Sequence, residues 1–126
     1  DLCRDIAAAT QDLGFNKFTS EATAFAVISQ TNPNLTEKIG EKATKRNFTG
    51  NDIGILTAHL VLAAKEEGLD TCILGLFNEK KLNALLSLPE NNKIALVVAI
   101  GYAKDGDELR PKKRKNRELV AKALTE

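Results

Sequence analysis

The chain has no methionine and no tryptophan, and only one histidine, one tyrosine and two cysteines among 126 residues. Each shortage removes a class of function. A single imidazole, His59, and two distant thiols, Cys3 and Cys72, cannot build a zinc site from one chain. The two cysteines make no disulfide framework, so a reducing, cytoplasmic setting is the expected one. The longest apolar run, Ile94–Ile100, is far too short to span a bilayer, and no apolar segment follows a basic start as a secretory leader would, so no membrane partner is expected. There is no G-x-G-x-x-G and no Walker A pattern, which disfavours a Rossmann dinucleotide fold and a P-loop NTPase. The missing methionine has its own meaning. The chain opens on Asp1, and aspartate is a poor second residue for removal of an initiating methionine, so the sequence reads as a fragment, a processed chain or a trimmed one.

What is present fits one soluble domain over residues 1–126. Apolar residues make up 43%, charged residues 28%, and the formal net charge is +1. A near-neutral molecule binds polyanions only through a local patch. Leu2, Ile6, Ala9 and Leu13 recur at helical spacing, with Gly14 as a stop. Residues 14–22 read as a polar connection, and Thr23–Ser29 as a buried strand. The QTNPN stretch, Gln30–Asn34, is turn chemistry. A helix capped by Asn34 or Thr36 follows, with Leu35, Ile39 and Ala43 on one face. After a loop over Asn47–Asn51, Asp52 is expected to cap a helix running to about Glu67 and ended by Gly68.

That helix is apolar nearly all round through Ile53, Ile55, Leu56, Leu60, Val61 and Leu62, which predicts either a central helix or a subunit interface. Thr71–Leu74 reads as a second strand that buries Cys72. Asn78 caps a helix carrying Leu82, Leu85 and Leu86, and Pro89 with Asn91–Asn92 makes a turn. Lys93–Tyr102 is the strongest strand, a continuous apolar run suited to a sheet covered on both faces. Beyond Ala103 the composition turns to charge, so 104–126 is a charged tail of the same domain, with a short helix over Asn116–Leu124. Strands alternating with helices give an α+β, α/β-like domain.

No acid–base pair or nucleophile stands out. His59 lies within the apolar helix, where a packed or interface histidine is the expected reading, and Cys72 in a buried strand is an inert thiol. The clearest local charge is RPKKRKNR, with Arg110, Lys112, Lys113, Arg114, Lys115 and Arg117. It can be a solvated tail, a nucleic-acid arm or a clamp for one phosphomonoester. Aromatics are only 5% and none interleaves these charges, which disfavours the nucleic-acid arm. A Lys-x-Arg pair in extended chain puts a point charge and a bidentate fork on one face.

From Phe15 to Glu118 the order of elements resembles the second half of a nitroreductase-like flavoprotein. The stretch DIGILTAHLVLAAKEEGLDTCILGLF, from Asp52 to Phe77, is similar to that family's long central helix and the strand that ends beside the flavin. LPENNKIALVVAIGYA followed by RPKKRK is similar to its last core strand and basic segment. The resemblance implies an FMN-dependent NAD(P)H oxidoreductase that passes hydride through flavin N5 in a ping-pong cycle to a nitroaromatic, a quinone or a similar acceptor. It implies a homodimer with FMN at the subunit interface and the long apolar helix as the expected dimer contact, and it requires no dedicated catalytic side chain and no metal. Lys112 and Arg114 match the basic pair that contacts the FMN phosphate. Gly75 and Leu76 match the turn whose backbone approaches the flavin near N5. Asn16 and Lys17 fall where the family contacts the flavin pyrimidine, a position at which Asn16 also reads as an ordinary loop or cap residue. The family's Arg-Arg-Ser-x-Arg signature is not in these residues, so a partial domain that lacks the N-terminal part of the FMN grip is expected. The alternatives are a flavin-free interaction domain of the same fold and a nucleic-acid module using the basic tail.

Overall fold

The computed structural model describes residues 1–31, 34–89, 91–108 and 111–122, and within these the side chains of Leu13 and Glu37 are not described. The turn residues Asn32 and Pro33, the cation Arg110 and the helix end at Leu124 lie outside the described residues. So does Leu13's expected place on an apolar face.

Three strands form one antiparallel sheet. β1 (Ala24–Gln30) and β2 (Asp70–Leu74) flank β3 (Lys93–Gly101), in the order β1-β3-β2. Every pairing is antiparallel, so of the two sequence readings the α+β one holds. The continuous apolar run is the central strand, as a strand buried on both faces must be: Val97 and Val98 point to opposite faces and both are fully buried. Strand alternation alone would put Ile94 on the face opposite Val97. The pairing skips Ala95, since Ile28 faces Leu96 while Ser29 faces Ile94. That bulge brings Ile94 onto the Val97 and Ala99 face.

Two helices close this face. α1 (Leu2–Thr10) and α4 (Glu79–Leu85) contribute Ile6, Ala9 and Leu82 to a core with Leu74, Ile94, Val97 and Ala99. Leu2, expected on the buried side of α1, is exposed; Ala7 and Thr10 are buried instead. α1 stops at Thr10, and Asp12–Gly14 continues as a 3-10 turn with Gly14 at φ 77°. Residues Lys17–Glu21, expected as plain connection, form a second 3-10 turn.

α2 (Leu35–Thr44) and α3 (Phe48–Glu66) form the other helical part. α3 starts at Phe48, ahead of the expected Asp52. Asn47 is the cap, its Oδ1 accepting from the Gly50 N–H at 2.7 Å. Glu41 reaches across from α2, its Oε1 accepting from the Phe48 N–H at 3.1 Å and the Thr49 N–H at 3.4 Å. A Cβ at Gly50 would sit 2.7 Å from the Asn47 side chain, so glycine is what lets this cap close. The far end of α3 stops as expected. Gly68 adopts φ 78°, its N–H bonds Lys65 O, and the Leu69 N–H bonds Ala64 O, the paired bonds of a glycine-terminated helix.

α3 is not a central helix. Thr57 is its one buried residue, and Ile55, Leu56 and Leu62 are 58%, 54% and 69% exposed. It packs chiefly along β2, the edge strand. Cys72 is therefore exposed, not buried as expected, because an edge strand lacks the neighbour that covers β3. After Gly101 the chain leaves the sheet, and Tyr102 is exposed. Residues 111–116 have no regular structure, and α5 (Arg117–Val120) is a single exposed turn.

Candidate functional site

The chain brings two short segments together at the end of β2. One is the loop at Asn16; the other is the turn Gly75–Phe77 between β2 and α4. Asn16 adopts φ 56°, a left-handed conformation that asparagine tolerates better than most residues. Its Nδ2 donates to Thr10 O at 3.1 Å and to Leu76 O at 3.0 Å. Both amide protons are thus spent on backbone carbonyls, and the side-chain carbonyl is left as an acceptor. The loop reading of Asn16 is realised, and the same bonds place it beside Leu76 and Gly75.

A polar knot holds the Asn16 loop to α1. Thr10 and Thr19 are fully buried with their hydroxyls 2.8 Å apart. Thr10 Oγ1 lies 2.7 Å from Ala7 O, and Thr19 Oγ1 lies 2.8 Å from Asn16 O. One hydroxyl donates across the pair and the other to a carbonyl, while Gln11 Nε2 donates to Thr19 Oγ1 at 3.1 Å. No buried hydroxyl is left unsatisfied, as buried polar groups require. Lys17 is exposed, and its carbonyl accepts from Gln11 Nε2 and the Ser20 hydroxyl.

The turn is held from its other end by α4. The Asn78 N–H donates to Ala9 O at 2.8 Å, and Asn78 Oδ1 caps α4 by accepting from the Lys81 N–H at 3.0 Å. Asn78 Nδ2 donates to Asp12 Oδ2, and Lys81 Nζ donates to Asp12 Oδ1 at 2.8 Å. The hydrogen bonds from Lys81 and Asn78 hold the Asp12 carboxyl below its ordinary pKa, so Asp12 is an anion at neutral pH.

Between these anchors the turn is open. Gly75 has no positive φ, and a Cβ built there meets nothing within 4 Å. Neither backbone conformation nor a neighbour in this chain calls for glycine. The Leu76 N–H has no hydrogen-bond acceptor among the described residues.

The basic pair is not joined to this turn. Lys112 and Arg114 are exposed, and no hydrogen bond or ion pair engages either among the described residues. Of the expected site, the structure brings together Asn16, Gly75 and Leu76, sets Lys17 next to Asn16, and leaves Lys112 and Arg114 exposed, with no bond to that turn among the described residues. The sequence reading missed Asp12 and Lys81, whose partnership spans 69 positions and leaves no local signal. No group of three or more potential metal ligands occurs among the described residues. His59 Nδ1 lies 2.8 Å from Ile55 O on its own helix, and the ring is exposed.

Comparison with known proteins gives this geometry a context. The sequence profile of the nitroreductase family matches residues 4–102, ending before the basic tail. No curated protein sequence matches. Among solved structures, a nitroreductase family protein from Streptococcus pneumoniae TIGR4 superimposes with a TM-score of 0.71 at 14% identity, over 98% of this chain and 75% of that one. An FMN-dependent nitroreductase from Clostridium difficile R20291 gives 0.61 at 20% identity, over 94% of this chain and 64% of that one. An FMN and NADPH-dependent nitroreductase, NfnB, from a Sphigopyxis strain gives 0.69 at 16% identity, over 90% of this chain and 48% of that one. The chain therefore spans between about half and three quarters of the length of these three relatives.

Proposed function

The chain belongs to the nitroreductase family, and from that membership we propose that it forms part of an FMN-dependent NAD(P)H oxidoreductase. The observation that carries the reading is the turn at Gly75: an open glycine stands on one held corner with a Leu76 N–H and an Asn16 side-chain carbonyl that have no partner among the described residues. An open glycine lets a planar group approach the backbone closely. The Leu76 N–H would donate to the flavin ring near N5. Asn16 Oδ1 would accept from the pyrimidine N–H, with Lys17 placing positive charge nearby.

Lys112 and Arg114 would take the phosphate. Neither is neutralised by a carboxylate among the described residues, so their full charge is available to an anion. FMN, when bound, supplies the redox centre that accepts hydride from NAD(P)H and passes electrons to a nitroaromatic, quinone or similar acceptor. The chain's own contribution is orientation, hydrogen bonding and charge, in keeping with a site that offers no acid–base pair. The same reading makes the protein a homodimer that covers α3 with a second copy. An apolar helix with Ile55, Leu56 and Leu62 exposed is the kind of surface a partner buries. No helix among the described residues is long and apolar enough to cross a membrane.

The test is a titration of the purified protein with FMN, followed by flavin absorbance and fluorescence. Saturable binding is expected, and Lys112→Ala and Arg114→Ala should each weaken it about tenfold or more. Unchanged affinity in both variants removes the tail from the site. No binding, together with retention of single-stranded nucleic acid that falls steeply with salt, would replace this reading with a nucleic-acid one.

A further inference from the structure

We infer that Asp12 is a positioning residue for the Gly75–Leu76 turn, acting through Asn78 and Lys81; the inference rests on the reading of that turn as the flavin-facing corner. Each oxygen of the Asp12 carboxylate has its own partner. Oδ2 accepts from the Asn78 side-chain amide, and Oδ1 accepts from Lys81 Nζ at 2.8 Å. One anion thus ties the 3-10 turn after α1 to both the cap and the first turn of α4. Asn78 directly follows the open segment, and its N–H is already bound to Ala9 O. The segment 75–77 is therefore pinned at three points: Leu74 in the buried sheet, Leu76 through Asn16, and Asn78 through Ala9 and Asp12.

The two cross-links come from one stretch of chain. Asp12 and Asn16 lie at the two ends of the same short loop, and they grip the turn on opposite sides of Phe77. Phe77 packs against the core. A loop whose two ends hold the same turn fixes both its position and its tilt. The open glycine and the free Leu76 N–H gain precision only if the turn cannot rotate, because a donor misplaced by about 1 Å loses much of its effect on a bound group. Charge strengthens the grip: bonds to an ionised acceptor are roughly twice as strong as neutral ones. A residue with no side-chain acceptor at position 12 would leave Asn78 Nδ2 and Lys81 Nζ without their shared partner and let α4 drift from α1.

Two readouts test this together. Backbone amide hydrogen exchange reports whether the turn is held, and FMN titration reports whether holding it serves the site. Asp12→Ala should raise exchange at the hydrogen-bonded amides of Asn78 and Lys81 about tenfold while leaving β3 at its native rate, the local opening expected on loss of charged hydrogen bonds. FMN affinity should fall, and the visible flavin band should shift from its position in the native complex. Lys81→Met should give a weaker form of both effects, and Lys81→Arg, which restores the ion pair, should return them toward native. Lys81→Met also serves if Asp12→Ala does not fold. Unchanged exchange at Asn78 and Lys81 in both variants overturns the inference. Faster exchange with native FMN affinity and spectrum reduces Asp12 to a structural tie and overturns the positioning role. A native protein that exchanges slowly at Asn78 and Lys81 yet binds no FMN sinks the proposed function and the positioning role with it, while Asp12's hold on the turn stands.

Discussion

The two helical parts of the molecule treat apolar side chains in opposite ways. α1 and α4 close one face of the sheet, with Leu82, Val97 and Ala9 almost wholly removed from water. α2 and α3 carry more apolar residues and leave large ones outside: Leu35, Ile39, Ile55, Leu56 and Leu62 are all more than half exposed. The first layer has a purpose internal to the chain, since it holds the loop at Asn16 and the turn at Gly75. The second satisfies its own backbone and little else. Apolar surface left uncovered by the chain that makes it points to cover from outside, and this is why we read α3 as one half of an interface.

The contrast can be broken by mutation. Leu82→Ala empties a fully buried position between α4 and the sheet, and should destabilise by about 2–5 kcal/mol in denaturant unfolding. Thr19→Val removes a buried hydroxyl from the knot around Asn16 and leaves Thr10 and Gln11 short of a partner, which should cost about 1–3 kcal/mol by the same measurement. Acid should loosen both parts through the same chemistry. Asp70 accepts from Lys65 Nζ at 2.8 Å and from the Ala103 N–H at 3.0 Å, and the Lys65 bond, then the backbone bond, hold its pKa below the ordinary value.

Asp12 is depressed in the same direction. A carboxyl with a lowered folded-state pKa contributes stability that is fully present above the ordinary carboxylate range and is lost as pH falls from that range through the lowered folded value. Urea midpoints should therefore drop as pH falls below about 5 and go on dropping below the ordinary carboxylate range. Asp70→Asn and Asp12→Asn should each flatten that drop. The smallest expected effect is Leu62→Ala at a dilution where the chain is alone: at 69% exposure it should change stability by no more than about 0.5 kcal/mol. A large loss there would mean that α3 belongs to the chain's own core after all.

The sequence was most legible where structure depends on near neighbours. Asn78 as a cap, Gly68 as a helix stop and the central place of Lys93–Gly101 each follow from a few adjacent residues. It was least legible where a distant group decides. The start of α3 depends on Glu41 reaching over from α2, so Phe48–Asn51 read as loop. Exposure of Cys72 depends on which strand lies at the sheet edge, which an apolar run does not reveal. Within the site, Asn16 and Leu76 were found through the family resemblance, and the bond that joins them crosses 60 positions. Asp12 had no such guide. No local pattern singles it out, and its partners are fixed only once α1 meets α4.

A single assembly would bring the open layer and the open turn into use together. Size-exclusion chromatography of the FMN-treated protein, with light scattering and flavin absorbance recorded on the same peak, puts the question directly. The account predicts one peak of twice the 13.7 kDa chain mass carrying the flavin signal. A colourless peak at the mass of a single chain would contradict it.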